Sequence, residues 1–203
     1  MAKTIAQKSL LSRIPTWGYV LGVLVLLALW TVGKYNGLIG LEGAVNNGWA
    51  QVETEYQRRA DLVPQLVSTV EGVADFEQST LLAVTEARTN WLNVDADPSA
   101  TVDDQIVASQ TFDSAFSKLL VSVEAYPTIT ATESFITLQA QLEGTENRIS
   151  VSRMDYNTAV TAYNVAIKRI PTNFIASIFG FESHTLFESA EGSELAPDVN
   201  FDY

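Results

Sequence analysis

Two hydrophobic patterns divide this chain. Residues 14 to 33, IPTWGYVLGVLVLLALWTVG, run uncharged between Arg13 and Lys34. Twenty apolar residues in helical form are enough to cross ~30 Å of hydrocarbon. Trp17 and Tyr19 at one end and Trp30 and Tyr35 at the other stand where interfacial aromatics belong. Past that run, Val45, Trp49, Val52, Tyr56, Ala60, Val63, Val67, Val70 and Ala74 recur at steps of four and three, which is one stripe of an amphipathic helix. The stripe predicts a helix reaching about Asn93. Unbroken from Tyr35, it would be roughly 90 Å long at ~1.5 Å per residue, and such a rod cannot bury its stripe alone.

Two more helices follow. The loop VDADPSA, residues 94 to 100, has turn chemistry in Asp97-Pro98, and Thr101 with Asp103 and Asp104 reads as a cap and acidic first turn. The next stripe is Val102, Ile106, Ser109, Phe112, Phe116, Leu119 and Val123, ending at Tyr126-Pro127. Thr132 opens a third helix that holds its apolar spacing from Phe135 to Ile170, before Pro171. A short apolar segment, FIASIFGF at 174 to 181, and an acidic tail close the chain. No stretch alternates with period two long enough to make a sheet. The expectation is an all-α protein: a transmembrane helix, then an antiparallel bundle of three to four long helices. Its parts are a basic N-terminus at 1–13, the span at 14–33, the bundle at 34–181 and the acidic tail at 182–203.

Composition narrows the chemistry. The absence of cysteine excludes disulfides, thiolate metal sites and cysteine nucleophiles. One histidine, His184, excludes a multi-histidine metal site and leaves a Ser-His-Asp arrangement dependent on a residue expected to be exposed. A di-metal carboxylate centre would call for Glu-x-x-His pairs on two helices, and the chain has none. No catalytic, cofactor or metal site is therefore expected. The net charge of −12 argues against nucleic acid as a partner.

Charge also orients the chain. Lys3, Lys8 and Arg13 are the only charges before the span, whereas residues 34 to 203 carry a net −15. The positive-inside rule then puts the N-terminus in the cytoplasm and the bundle across the inner cell membrane from it. A cleaved signal peptide is the rival reading of the apolar run, although the run is long for one and no A-x-A site follows it.

Residues 125 to 181, AYPTITATESFITLQAQLEGTENRISVSRMDYNTAVTAYNVAIKRIPTNFIASIFGF, and residues 46 to 77, NNGWAQVETEYQRRADLVPQLVSTVEGVADFE, resemble the LemA family. The ending PDVNF is similar as well, so the resemblance covers about residues 34 to 203. It implies a single-pass membrane protein with a helical-bundle domain, and no activity. The acidic balance is a departure, since many relatives are richer in lysine around EGVADFEQST.

Two polar clusters interrupt the helices. In RRADLVP, Pro64 removes the amide that would bond the Ala60 carbonyl, at a cost of ~3 kcal/mol inside a helix. Asp61 is expected to cap the restarting helix, and Arg58 or Arg59 to reach freed carbonyls or an acid on a neighbouring helix. The motif is either a hinge or ligand site, or a capped kink. The second cluster sets Glu143, Glu146, Arg153 and Asn157 at helical spacings, with Asn164 one heptad past Asn157, in reach of Arg59 or Arg88. It forms either a polar binding cavity or a register lock that decides which helices pair.

Glycines suggest contacts between copies. Gly18 and Gly22 lie one turn apart in the span, and Gly33 and Gly37 crowd its exit, where small residues let helix backbones approach. With Phe174, Ile175, Ile178 and Phe179 of the apolar end segment, they are the expected oligomer contacts. The expected partners are membrane lipid, further copies of the chain and another membrane protein. The leading functional expectation is a non-enzymatic, self-associating scaffold at the membrane surface; the alternative is an adaptor for a protease or sensor.

Overall fold

A computed structural model describes residues 15–71 and 76–188. The basic N-terminus and the tail beyond Glu188 lie outside them. Among the described residues all regular structure is helical: α1 (Thr16–Glu71), α2 (Gln78–Asp95), α3 (Val102–Glu124), α4 (Pro127–Thr130), α5 (Glu133–Lys168) and α6 (Thr172–Phe179).

The apolar run and the first bundle helix are one element. α1 continues for 56 residues, and its first turns are apolar and long enough to cross a membrane, with none of that window buried in the protein. The expected helix to Asn93 is instead two. α1 ends at Glu71 and α2 begins at Gln78, with the Ser79 hydroxyl donating to Glu77 Oε1 at 2.9 Å and that of Thr80 to Glu77 Oε2 at 3.2 Å. Gly72 and Asp75, both weak helix formers, lie in the sequence between them. α2 lies back beside α1 and buries Leu81, Val84, Ala87 and Trp91, a stripe that a continued rod would leave in water.

The later helices follow their caps. At α3 the Thr101 hydroxyl accepts from the Asp104 amide and the Thr101 amide donates to the Asp104 carboxylate, a reciprocal box that satisfies two otherwise orphaned donors. At α5 the Thr132 hydroxyl accepts from the Phe135 amide. α5 runs antiparallel to α1, with Gly48 against Tyr156 and Arg59 against Glu146. A Cβ on Gly48 would meet the Tyr156 Cα at 3.1 Å, so glycine there sets the closest approach of the two longest helices. α2 descends and α3 ascends beside α1, bringing Trp91 to 5.7 Å from Tyr56 and Phe112 to 6.4 Å from Trp91. This is an up-down bundle with an α1–α5 pair along its length and an α2–α3 pair against one end.

The tail is corrected at its start. Residues 182–188 belong to an extended segment packed on α5, with Phe187 buried, stacked on Trp49 at 5.7 Å and set edge-on to Tyr156. His184, expected to be exposed, is half-buried with its ring 5.0 Å from that of Tyr163.

Candidate functional site

The bundle interior holds a charged network at the level of Arg59. That side chain is 1% exposed and comes from the motif RRAD on α1. Its guanidinium pairs with Asp113 of α3 and with Glu146 of α5, and lies over the rings of Tyr56 and Phe116 at 5.4 and 5.2 Å. Arg153, two turns from Glu146 on α5, pairs with Asp113 from the other side and donates to the Tyr56 hydroxyl. The Tyr56 hydroxyl in turn donates to the Asp113 carboxylate at 3.0 Å. One carboxylate thus ties three helices together. Nearby, Arg148 of α5 pairs with Glu55 of α1 at 2.9 Å, and Glu53 accepts from the Trp49 indole at 2.6 Å and from Gln105 of α3 at 3.2 Å.

Burial shapes the electrostatics. It pushes the Asp113 carboxyl up to about 6, against the pull of the Arg59 guanidinium, and draws the Arg153 guanidinium down to about 10. It also lowers Arg59, while Asp113 pulls the other way. Asp113 and Arg153 are charged at neutral pH. The folded chain binds the Asp113 proton through about pH 4 to 6, where an unfolded aspartate has largely lost it. The contribution of that proton to stability is complete below about pH 4 and disappears as pH rises through 6. Relative to Asp113→Asn, the parent should therefore lose urea resistance between about pH 4 and pH 7. Parallel midpoints at both pH values would contradict this.

The RRADLVP motif resolves differently from its expectation. Helix α1 passes through Pro64 without ending. The Ala60 carbonyl that proline orphans is buried and accepts from Nε of Arg88 on α2 at 2.6 Å. Asp61 does not cap a restarting helix, because the helix does not restart; exposed, it accepts from Gln57 at 3.0 Å. Arg58 is exposed and makes no ion pair among the described residues. An Arg88→Ala substitution should cost about 1 to 3 kcal/mol, the penalty of leaving a buried acceptor bare. In a Pro64→Ala background the loss should shrink, since the restored amide reaches the same carbonyl, and equal losses in the two backgrounds would refute the link.

The second cluster divides. Glu146 and Arg153 join the network, while Glu143 stays outside and accepts from Gln139. Asn157 and Asn164 grip the extended segment. The Asn157 side chain accepts from the Phe187 amide at 2.9 Å and donates to the Phe187 carbonyl at 3.0 Å. Asn164 does the same with His184, at 3.0 and 2.8 Å. Tyr156 adds a bond from its hydroxyl to the Thr185 carbonyl at 3.0 Å.

Two clefts flank the network. One of about 870 Å³ lies between α3 and α5, lined by Phe116, Leu120, Phe135, Leu142 and Glu146 among others. The other, about 720 Å³, is lined by Glu146, Arg153, Asn157 and Phe187 among others. The Nε of Arg153 is buried and has no hydrogen-bond partner among the described residues. Among the described residues no group of His, Asp and Glu is placed to hold a metal ion.

The expected oligomer contacts also separate. Cβ atoms built on Gly22, Gly33 and Gly37 meet nothing within 4 Å, so this side of α1 is open. Gly18 lies in the same helix, one turn before Gly22. Phe174, Ile178 and Phe179 are exposed. Ile175 is corrected: it points into the bundle at 5% exposure, because on so short a helix one step along the sequence turns the side chain by ~100°.

Sequence reading missed Asp113, which sits one step off the α3 stripe between Phe112 and Phe116, and it missed Gly48, a mid-helix glycine whose only signal is its low helix propensity.

The model of a family described as the LemA family matches residues 48–201. Protein LemA of Metamycoplasma hominis is 24% identical over 169 residues, which span 83% of this chain and 75% of that protein. Magnetosome protein MamQ 1 of Paramagnetospirillum magneticum is 26% identical over 176 residues, spanning 76% of this chain and 65% of that protein. Magnetosome protein MamQ of Magnetospirillum gryphiswaldense is 34% identical over 71 residues, 35% of this chain and 26% of that protein.

Proposed function

The chain belongs to the LemA family, and from that membership we propose that it is a non-enzymatic, single-pass membrane protein that self-associates into a structural assembly at the membrane surface. The observation that carries this reading is the continuity of α1. One helix leads from an apolar stretch with no cover inside the protein to Arg59 at the heart of the bundle. A bundle built on that helix is held at a set height above the bilayer, as a scaffold requires. Gly22, Gly33 and Gly37 leave the same helix open to a second backbone. Arg59, Asp113, Glu146 and Arg153 are joined by ion pairs that tie α1, α3 and α5 together, and this supports the register-lock reading over catalysis. The N-terminus is assigned to the cytoplasm on its three cations.

Crosslinking and size analysis of the full chain in mild detergent test the proposal. Oligomers are expected, and Gly33→Leu with Gly37→Leu should dissociate them without loss of helicity, since both positions are open. A monomer at every concentration removes the scaffold reading. The two clefts beside Glu146 favour the adaptor reading as the second choice. That reading predicts a discrete co-purifying membrane protein, lost when the α3–α5 cleft is filled by Ser150→Trp.

A further inference from the structure

Helix α6 is apolar on two opposite sides. Ile175 and Ala176 dock it on the bundle, yet Phe174 and Ile178, four residues apart, are 64% and 77% exposed, Phe179 is 53% exposed, and Ile170 in the turn before the helix is 81% exposed. An exposed cluster of large apolar side chains marks a surface that something covers. What covers the outer side follows from where the helix sits. The rings of Phe179 and Phe181 lie 4.8 and 5.6 Å from that of Tyr35. Tyr35 directly follows Lys34, the first charge after the uncharged run of α1. The end of α6 is therefore level with the point where α1 leaves the hydrocarbon, at the depth of the headgroups.

Charge fits the same surface. Lys168, which ends α5, and Arg169 are exposed in the approach to α6, and Lys34 is exposed on α1. None of the three has an ion pair among the described residues. They stand at this end of a region that carries a net −15, with Glu182 the acid that follows Phe181. Cations beside an apolar helical face are what an interfacial helix presents to phosphate headgroups.

We propose that α6 is a membrane-surface foot, with Ile170, Phe174, Ile178 and Phe179 inserted in the interfacial layer of the bilayer beside the exit of α1. This inference rests on the reading that α1 spans the membrane. A second copy of the chain would also cover the outer face, but lipid already surrounds α1 at that height. Two attachment points, span and foot, then fix the tilt of the bundle on the membrane, which one helix alone leaves free.

The chain has no cysteine, so single substitutions carry a fluorophore to chosen depths. We would label Ile178→Cys on the foot, Leu24→Cys in the span and Val121→Cys, an exposed site on α3 toward the far end of the bundle. The full chain is placed in vesicles of phosphatidylcholine and phosphatidylglycerol. The Ile178 and Leu24 probes should be quenched by nitroxide-bearing lipid and shielded from aqueous iodide, with the Val121 probe doing the reverse. Iodide quenching at Ile178 with Leu24 still shielded overturns the foot and leaves the anchor standing. Iodide quenching at Leu24 removes the anchor and the foot with it. Shielding at Ile178 without quenching by nitroxide lipid, relieved when protein is diluted in lipid, assigns the face to a second copy and overturns the foot.

Discussion

Arg59→Ala should lower the unfolding free energy by about 3 to 5 kcal/mol, the usual cost of removing one member of a buried ion network. The side chain is 1% exposed and joins α1 to Asp113 on α3 and Glu146 on α5. Its loss leaves Asp113 in a partly desolvated site with Arg153 as its one cation, and leaves a void between Tyr56 and Phe116, over whose rings the guanidinium lies. Arg59→Met fills much of the void but not the charge. It should recover only the packing share of the loss, and adding Asp113→Asn should recover more by removing the stranded carboxylate. The measurement is helical circular dichroism against urea for the full chain in mild detergent. A loss below about 1 kcal/mol would place Arg59 among screened surface pairs and contradict its role as the tie between helices.

The second large effect concerns the segment after α6. Asn157→Ala combined with Asn164→Ala removes four hydrogen bonds to the backbone at His184 and Phe187. At ~1 kcal/mol net for each bond, release of residues 181–188 becomes easier by about 2 to 4 kcal/mol. The bundle itself should persist, because Trp49 of α1 and Tyr156 of α5 still pack against each other, with ring centroids 5.3 Å apart. The effect should appear as faster hydrogen exchange at the His184 and Phe187 amides, and as a change in Trp49 emission when the stacked Phe187 ring leaves. Unchanged exchange at those two amides would show that ring packing alone holds the segment.

Several features were legible because they depend on neighbours in sequence. The caps at Thr101 and Thr132 are local chemistry, and both helices start where those residues predict. The RRAD motif stood out as two adjacent cations beside an apolar stripe, although which of Arg58 and Arg59 turns inward was not legible, and Glu146 and Arg153 stood out as polar groups two turns apart on α5, the first exposed and the second half-buried in the fold. Asp113 did not, because one step off its stripe it reads as an ordinary surface acid until α1 and α5 close over it. Arg88 was visible as a candidate for the interior, but its target was not. The acceptor it serves is a backbone carbonyl, and which carbonyl comes within reach depends on how α2 folds back along α1.

The amino-acid order by itself determined an apolar run able to span a bilayer, long amphipathic helices with their caps, an all-α class and a family. These follow from periodicity and local hydrogen bonding, which act over a few residues. Tertiary structure alone decided that α1 is continuous through Pro64 while α2 lies back beside it, and that Asp113 is the knot of the interior. It also decided that two asparagines grip a segment that composition marks as free tail, and that the end of α6 lies beside Tyr35, just past the apolar run of α1. Each of these is a meeting of groups between 20 and about 150 residues apart in sequence. Such meetings are set by how the helices pack, and helical periodicity says which face is buried without saying what lies against it.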